Sequence, residues 1–272
     1  MKRCKEFTGF EMMLIVSARQ IKNNDVIFGG IQWPFLVLQI ANRLHAPNIN
    51  IILETGTVHK SMPEKLPFSI IDPIIVQDSI YIGDSIDSLG FLQRGEVDIA
   101  FLSASIVDKY GNCNTTSIGN YERPKYRLPG GGGATEVAAL SKKLYWLLDE
   151  HNPRRLVPKV SFITDLGFLN GGNTKYELGY PINAKPEAII TPLCILKFDK
   201  EDKEAFLDSI YYNVKIEDVL KNTGWKLKVP DDVKLVDPPT VEEIKVCREV
   251  IRESISQLYI LKPEWIKYLD KL

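Results

Sequence analysis

The sequence is poor in cysteine and histidine, and the few that it has are scattered. Its four cysteines, at positions 4, 113, 194 and 247, form no CxxC pair and have no regular spacing, which argues against a disulfide framework or a zinc site. The three histidines, at positions 45, 59 and 151, include no HxxxH pair, so each is expected to be a surface or cap residue. No metal site is predicted, and a reducing cytoplasm is the simplest location.

Neither an excess of charge nor a long apolar run is present. With 272 residues, a formal net charge of -1 and 44% hydrophobic residues, the chain is expected to be a globular protein that binds no nucleic acid. No apolar span approaches the roughly 18 residues of a membrane-crossing helix, so no membrane association is expected. Glu11 interrupts the apolar stretch near the start, which predicts an amphipathic first helix rather than a signal peptide.

Two short apolar runs rich in β-branched residues, 26–28 and 49–53, are predicted to be strands. Between them, the apolar residues of segment 34–44 recur at helical spacing, and Pro34 suits the first turn of a helix. A strand, helix, strand unit of this kind predicts a parallel pair. A third nearly continuous apolar run, 97–104, is typical of a strand buried on both faces of a sheet.

The middle of the chain continues the alternation of strand and helix patterns. Turn residues dominate 108–133, and a helical period returns over 134–148. Its apolar stripe consists of Val137, Leu140, Leu144 and Leu147. Segments 160–164 and 188–191 are predicted to be further strands. The alternation predicts an α/β fold with an open, mostly parallel sheet flanked by helices.

The C-terminal part has a different character. From about residue 200 the sequence is charged and rich in turns, and it ends in a helical pattern over 240–258 in which Thr240 and Glu243 are spaced as a capping box. An apolar stripe along that pattern consists of Ile244, Cys247, Ile251 and Leu258. The chain is therefore predicted to be a single domain, 1–272, in which 200–272 is a C-terminal extension that packs on the body.

Glu54 is the first candidate for chemistry, because it directly follows the predicted strand 49–53 and precedes Thr55 and Gly56. Ligand sites of open α/β sheets lie at the carboxyl ends of the strands. A carboxylate that is ionised at neutral pH can attack an activated carbonyl without a general base. An acid that pairs with a surface lysine or caps a helix is the structural alternative, which position alone leaves open.

A run of four glycines at 130–133 leads straight into the predicted helix 134–148. Consecutive glycines let backbone amides approach a bound group closely, and an oxyanion hole needs such donors. The run lacks the lysine and Ser/Thr of a Walker A motif and the spacing of a dinucleotide fingerprint, but phosphate binding or a tight turn remain alternatives. Segment 107–116, rich in Asp, Gly and Asn, is interpreted mainly as a structural turn.

In their order along the chain and in their residues, these segments resemble the corresponding segments of the β subunits of family I coenzyme A-transferases, especially the glutaconate and 3-oxoacid types. The resemblance extends from position 26 to position 234. It rests on VIFGGIQWP at 26–34, HAPN at 45–48, ETG at 54–56, RGEVDIAFLSASIVDKYGNCNTT at 94–116, RLPGGGGA at 127–134, FITDLG at 162–167 and NTGWKLKVPDDVK at 222–234.

The resemblance implies the NagB/RpiA-like coenzyme A-transferase fold and assigns roles to particular residues. Glu54 falls on the family's nucleophilic glutamate, although Leu53 and Thr55 depart from the usual wording around it. The oxyanion- or thioester-binding residues are expected in a glycine-rich loop and in an early glycine-containing loop. They are Gly131, Gly132 and Gly133 in the first, and Gly29, Gly30 and Gln32 in the second.

The implied reaction is ping-pong transfer of CoA from an acyl-CoA thioester to a carboxylic acid through a glutamyl-CoA thioester on Glu54. Coenzyme A is then a substrate moiety, and no permanently bound cofactor is expected. The resemblance also implies an α subunit of related fold as partner, in a heterodimer or heterotetramer with the active site near the interface.

Two other functions remain open. One is an acyl-CoA hydrolase or ring-cleaving hydrolase on the same scaffold, and the other is a non-catalytic regulatory or ligand-binding subunit. The presence of Glu54 in an ETG motif and of the four-glycine loop favours the transferase.

Overall fold

The computed structural model describes residues 2–62 and 67–254, which form an α/β fold around one large sheet. The strands are β1 Val26–Gly29, β2 Asn50–Ile52, β3 Thr57–His59, β4 Tyr81–Ile82, β5 Ile99–Ser103, β6 Ile106–Asp108, β7 Cys113–Asn114, β8 Ser117–Gly119, β9 Pro124–Arg127, β10 Lys143–Leu147, β11 Leu156–Val157, β12 Pro186–Ile190, β13 Cys194–Phe198, β14 Ala205–Ile210 and β15 Lys234–Leu235. The helices are α1 Gly9–Ala18, α2 Trp33–Leu44, α3 Ser85–Gln93, α4 Ala134–Leu140, α5 Thr174–Glu177, α6 Ile216–Asn222 and α7 Val241–Ser254, with a 3-10 turn at Pro73–Val76.

The main sheet has ten strands in the order β15-β14-β13-β12-β10-β5-β1-β2-β3-β4. Its centre, from β12 to β2, is parallel throughout. Antiparallel pairs flank that centre, with β3 and β4 on one side and β13 and β14 on the other. The predicted α/β class with an open, mostly parallel sheet is confirmed.

Helices cover both faces of the sheet, and β5 shows how one strand serves two cores. Ile99 and Phe101 belong to the core under α1, α2 and α7, whereas Ala100 and Leu102 belong to the core under α3, α4 and α6. Successive side chains of a strand point to opposite faces. A strand buried on both faces therefore reads as a continuous apolar run, as the sequence of 97–104 does.

The predicted strand, helix, strand unit is confirmed. Strand β1 pairs in parallel with β2, and α2 begins at Trp33 with Pro34 in its first turn. The capping box of the last described helix is also present, because the Glu243 amide donates to Thr240 Oγ1 at 3.1 Å and the Thr240 amide donates to the Glu243 carboxylate at 2.6 Å. Strand β12 confirms the strand predicted at 188–191.

The single helix predicted over 134–148 is wrong. Helix α4 ends at Leu140, and β10 begins at Lys143 and pairs in parallel with β5 and β12. Leu144 and Trp146 face one core, and Tyr145 and Leu147 face the other. A short apolar run buried on both faces fits a helical period as well as a strand, so the spacing could not separate the two.

Two further expectations are corrected. Segment 160–164 forms no strand and is a loop whose Thr164 amide donates to the Cys113 carbonyl. Helix α1 is present but is not amphipathic, because every residue from Phe10 to Ala18 is buried. Glu11 is tolerated there because Arg248 on α7 contacts its Oε1 at 2.7 Å and the Thr8 amide donates to its Oε2.

The region after residue 200 adds β14 and β15 to the main sheet, and α7 packs on α1 and α2. Ile244, Cys247 and Ile251 of the predicted stripe are buried, whereas Leu258 and the rest of 255–272 lie outside the described residues. No helix within the described ranges is long and apolar enough to cross a membrane.

Candidate active site

Glu54 lies at the tip of a tight turn between β2 and β3. The Leu53 amide donates to the Thr57 carbonyl and the Gly56 amide donates to the Leu53 carbonyl, both at 3.0 Å. Gly56 has a φ of +101°, and an added Cβ there would lie 2.4 Å from the Asp84 amide nitrogen, so glycine is required for the turn. The Ser88 hydroxyl on α3 donates to the Glu54 carbonyl at 2.8 Å, which fixes the turn against the helix.

The glycine-rich loop 130–133 meets this turn. The Gly133 amide donates to Glu54 Oε1 at 2.8 Å. A Cβ at Gly133 would lie 2.9 Å from the Glu54 carboxyl carbon, and one at Gly132 would lie 3.2 Å from Oε1. The two segments are therefore packed so closely that only glycine leaves room for the carboxylate beside the loop. An amide so placed can stabilise negative charge on an oxygen of that carboxyl group.

A cavity of about 540 Å³ borders the same loop. Gly130 and Gly131 form one wall, and the carboxyl end of β5, at Ser103, forms another. The remaining apolar lining is provided by Trp33, Ala104, Ile106, Ile118, Leu128, Pro129, Ala134 and Trp146. A largely apolar cleft with a few polar groups is the usual form of a small-molecule site.

Asp165 is a buried acid in the wall of this cavity, with only 1% of its surface exposed. The Thr115 hydroxyl donates to its Oδ2 at 3.3 Å, whereas its Oδ1 accepts no hydrogen bond from the described residues and would lie 2.9 Å from a Cβ at Gly131. Burial raises the pKa of Asp165 to about 6. Asp165 thus lies beside Gly131, whereas Glu54 lies beside Gly132 and Gly133 of the same loop.

The raised pKa of Asp165 predicts a pH-dependent stability. The folded protein holds the proton more tightly than the unfolded chain, so stability should fall as the pH rises from about 4 to about 6 and then level off. Asp165→Asn is expected to remove this penalty and to stabilise the protein above pH 6 by about 3 kcal/mol at most. Thermal unfolding of both proteins between about pH 4.5 and 8 would measure it. A difference that does not change with pH would contradict the assignment.

Two arginines complete the polar lining of the cavity. Arg155 Nη2 lies 3.0 Å from Asp149 Oδ1 and donates to the Ala104 carbonyl at 2.8 Å, while its Nε donates to the Ser105 carbonyl. Arg155 therefore holds the end of β5 in place. The neighbouring Arg154 is exposed, and its backbone amide is fixed by donation to Asn152 Oδ1 at 3.0 Å.

The early glycine loop lies at the same edge of the sheet. Gly29 ends β1, and a Cβ at Gly30 would lie 2.8 Å from the Phe101 carbonyl of β5. Gln32 is 3% exposed, has a φ of +66° and precedes α2. The loop leads into Trp33, which lines the cavity. The proposed binding role of Gly29, Gly30 and Gln32 remains a prediction.

Segment 107–116 forms the turn that the sequence indicates. The Asp108 carboxylate accepts hydrogen bonds from the amides of Tyr110, Asn112 and Val160 and from the Asn112 side chain. Asn112 Oδ1 in turn accepts from the Gly167 amide at 3.0 Å. The two side chains thus tie the turn to the segment that carries Asp165.

Two of the three histidines do not occupy the surface or cap positions that were expected of them. His45 caps the C-terminus of α2, but His59 and His151 are buried. Burial lowers the pKa of His151 to about 4, and its ring nitrogens contact the hydroxyls of Thr191 and Thr223. Within 2–62 and 67–254, no three His, Cys, Asp or Glu side chains are grouped so that they could hold a metal ion.

Sequence reasoning did not single out Asp165, Ser88 or the cavity. Asp165 lies in the FITDLG segment, where an acid interrupts a mainly apolar run. That interruption is the available signal, because a buried acid without a cation usually has a special environment. Ser88 had no such signal, since only the fold brings α3 to the Glu54 turn.

Comparison with known proteins gives concordant matches over most of the chain. A family model described as Coenzyme A transferase matches residues 10–222. The chain is 37% identical over 243 residues to the B-type subunit of 3-oxoadipate CoA-transferase from Pseudomonas knackmussii, a match that covers 88% of this chain and 91% of that protein. It is 35% identical over 250 residues to the B-type subunit of glutaconate CoA-transferase from Acidaminococcus fermentans, covering 90% and 92% respectively.

A solved structure shows the same likeness in three dimensions. The crystal structure of glutaconate coenzyme A-transferase from Acidaminococcus fermentans superposes with a TM-score of 0.85 at 32% identity. The superposition covers 95% of this chain and 99% of that chain.

Proposed function

This chain belongs to the coenzyme A-transferase family, as a subunit of the B type, and we propose that Glu54 is the nucleophile through which CoA is transferred. The observation that carries this proposal is the 2.8 Å hydrogen bond from the Gly133 amide to the Glu54 carboxylate. Glu54 follows strand β2 and contacts the glycine-rich loop, whose Gly130 and Gly131 line a cavity of substrate size.

The reaction has two half-reactions, the first with the acyl-CoA donor and the second with the acceptor acid. The Glu54 carboxylate attacks the thioester carbonyl of an acyl-CoA, and the CoA thiolate leaves a mixed anhydride behind. The thiolate then attacks the glutamyl carbonyl, which forms a glutamyl-CoA thioester and releases the first acid as its carboxylate. A second carboxylate attacks that thioester, and the returning thiolate attacks the new acyl group and restores Glu54.

The loop supports these steps at the point where charge develops. Each attack on the glutamyl carbonyl places negative charge on its oxygen, and the Gly133 amide is already directed at that position. The anhydride must also be protected from water, because hydrolysis would replace transfer. The close packing of Gly132 and Gly133 against Glu54 excludes water from that side.

The relatives suggest the class of acid. Both curated relatives are named for an acid with two carboxyl groups, glutaconate in one case and 3-oxoadipate in the other. We therefore propose a short dicarboxylic acid as one substrate, with CoA as a substrate moiety rather than a bound cofactor.

A B-type chain of such an enzyme acts with a partner chain, and we propose an α subunit of related fold in a heterodimer or heterotetramer. An apolar patch beside the Glu54 turn is the candidate contact surface. It consists of the exposed side chains of Phe68, Ile71, Val76, Ile80, Tyr81, Ile82 and Ile86. The Gly83 amide within it donates to the Gly56 carbonyl at 3.0 Å, so a partner on this patch would border the site. A contiguous exposed apolar patch usually marks an interface.

Ile86→Asp is expected to weaken assembly with the α partner by about tenfold or more, because it places a charge within the apolar contact. An aspartate is compatible with the first turn of α3, so folding should be retained. Ile182→Asp is the matched control, since Ile182 is 82% exposed and Ile86 is 81% exposed, but Ile182 lies outside the patch. Co-purification would measure assembly, and an equal loss in both variants would contradict the proposed surface.

Steady-state kinetics of the assembled enzyme test the proposed reaction. The concentrations of acyl-CoA and acceptor acid are varied together. If a covalent enzyme intermediate forms, double-reciprocal plots should show parallel lines, and acyl groups should exchange between acyl-CoA and the corresponding free acid without the second acid. Intersecting lines without exchange would indicate direct transfer in a ternary complex. Release of free CoA at the same rate without any acceptor would indicate a hydrolase.

A further inference from the structure

Segment 80–88, which contains β4 and the first turn of α3, contacts the Glu54 turn and also carries part of the exposed apolar patch. Its outward side chains include Ile82 and Ile86, which are 64% and 81% exposed, whereas Ser88 is 1% exposed. Because a helix has about 3.6 residues per turn, side chains two positions apart, as Ile86 and Ser88 are, point to nearly opposite faces. One short segment therefore has a side toward solvent and a side toward the nucleophile.

Two hydrogen bonds join the Glu54 turn to this segment. The Gly83 amide donates to the Gly56 carbonyl at 3.0 Å. The Ser88 hydroxyl lies 2.8 Å from the Glu54 carbonyl oxygen and 3.1 Å from that of Ser85, so its proton is shared, with the shorter contact to Glu54. The bond from Ser88 is made by a side chain and reaches Glu54 itself, so a substitution can remove it without changing the backbone.

Helix α3 also packs on α4, which begins directly after Gly133. It therefore contacts both the turn that carries Glu54 and the helix that follows the glycine-rich loop. The Glu54 carboxylate and the Gly133 amide are 2.8 Å apart, and a displacement of about 1 Å between reacting groups can cost about 10²-fold in rate. The position of α3 thus bears directly on this pair.

We propose that Ser88 is a positioning residue for Glu54, through which a partner chain bound to the outward side of segment 80–88 holds the nucleophile at the Gly133 amide. This inference rests on the proposed function and on its contact surface. Burial of the outward side restricts local opening of the segment. The hydrogen bond from Ser88 extends that restriction to the turn, so Glu54 is held more firmly in the assembled enzyme than in the chain alone.

The kinetic test uses Ser88→Ala and Ser88→Cys in the assembled enzyme. Alanine removes the hydroxyl, whereas cysteine fills the space but is a weak donor. In both variants kcat should fall about tenfold, the scale of one lost hydrogen bond. The KM values for acyl-CoA and acid should stay within about twofold of wild type, because Ser88 acts through the Glu54 backbone and not on a substrate.

Ser17→Ala is the matched control. Ser17 is a fully buried serine of α1 whose hydroxyl donates to the Met13 carbonyl at 2.7 Å, so the substitution removes the same kind of hydrogen bond far along the chain from the turn. Its kcat should not change. Unchanged kcat in Ser88→Ala, a loss that appears in KM, or an equal loss in Ser17→Ala would each overturn the positioning role. Normal kcat in Ser88→Cys would overturn it as well, because the side chain would then serve only to fill space.

Amide hydrogen exchange of the free chain and of the assembled enzyme tests the link to the partner. In the wild type, assembly should slow exchange about tenfold or more in 80–86 and in 53–57, where the Leu53 and Gly56 amides close the turn. In Ser88→Ala the slowing in 80–86 should remain, and most of the slowing in 53–57 should be lost. Equal slowing of 53–57 in both proteins, or no slowing of either segment in the wild type, would overturn the link.

Exchange requires no turnover, so this result is independent of the chemistry at Glu54. A failed link would leave the nucleophile assignment intact. Absence of any adduct on Glu54 in the wild type would instead contradict the proposed function, whatever the exchange of 53–57 shows.

Discussion

Glu54→Ala is expected to reduce CoA transfer by the assembled enzyme by at least about 10³-fold, because it removes the carboxylate that forms the covalent intermediate. Glu54→Gln should be equally inactive, although its amide oxygen can still accept the Gly133 hydrogen bond seen in the wild type. The comparison separates nucleophilic chemistry from the packing of the turn. Initial rates of acyl-CoA consumption in the presence of acid would measure both variants.

Glu136→Ala is the matched control, since Glu136 is an acid in the first turn of α4 and is not a partner in the Glu54–Gly133 hydrogen bond. Its rate should remain within about twofold of wild type, as expected for an acid that takes no part in the reaction. Retention of more than about a tenth of the activity in Glu54→Gln would contradict nucleophilic attack by this carboxylate.

Gly133→Ala is expected to lower kcat about 10²-fold, the scale found when one oxyanion donor is removed. The Gly133 backbone, with φ −75° and ψ −4°, itself accepts alanine without strain, so any shift should be confined to the contact with Glu54. The new Cβ would lie 2.9 Å from the Glu54 carboxyl carbon and must displace either the carboxylate or the loop. The defect should therefore appear in kcat, while the thermal midpoint stays near that of the wild type.

Gly90→Ala is a suitable control for adding one methyl group. A Cβ there would meet only the far end of the flexible Arg94 side chain, within helix α3. Normal kcat in Gly133→Ala would show that the close contact between the loop and the Glu54 carboxylate does not serve the reaction. A large fall in the thermal midpoint of that variant would instead indicate that the loop matters for folding.

The main features of the site could be predicted from the sequence because they lie next to strong local signals. Glu54 follows a buried strand, and the four glycines precede a helix. Packing then brings the two segments, 79 residues apart, together: α4, which follows the glycines, packs on α3 and β5, and Ser88 of α3 holds the Glu54 turn. Glu54 itself lies where open α/β sheets place their ligand sites, beyond the carboxyl end of a parallel strand.

Features that depend on packing could not be predicted. The sequence of β10 fits a helical period as well as a strand. Only its pairing with β5 and β12 in the fold distinguishes the two. Helix α1 was predicted to be amphipathic, but α2 and α7 bury its polar side as well. The position of Asp165 beside Gly131 depends on its pairing with Cys113, which no local pattern reveals.

The same distinction applies to function. The residue types at Glu54 and 130–133 indicate the chemistry, but the charge balance of the cavity is a property of the folded chain. Arg154 and Arg155 are adjacent and identical in type, and only the structure shows that Asp149 engages one of them. A single sequence therefore supports the reaction class, whereas the charge balance of the cavity is visible only in the structure.

The most direct test of nucleophilic catalysis by Glu54 is the mass of the intact chain, assembled with its partner and mixed with acyl-CoA in the absence of a second acid. We expect an added mass equal to CoA minus water, located by peptide mapping on Glu54 and removed by hydroxylamine. The same treatment of Glu54→Ala should leave its mass unchanged. An adduct on another residue, or undiminished turnover by Glu54→Ala without any adduct, would contradict the central role of Glu54.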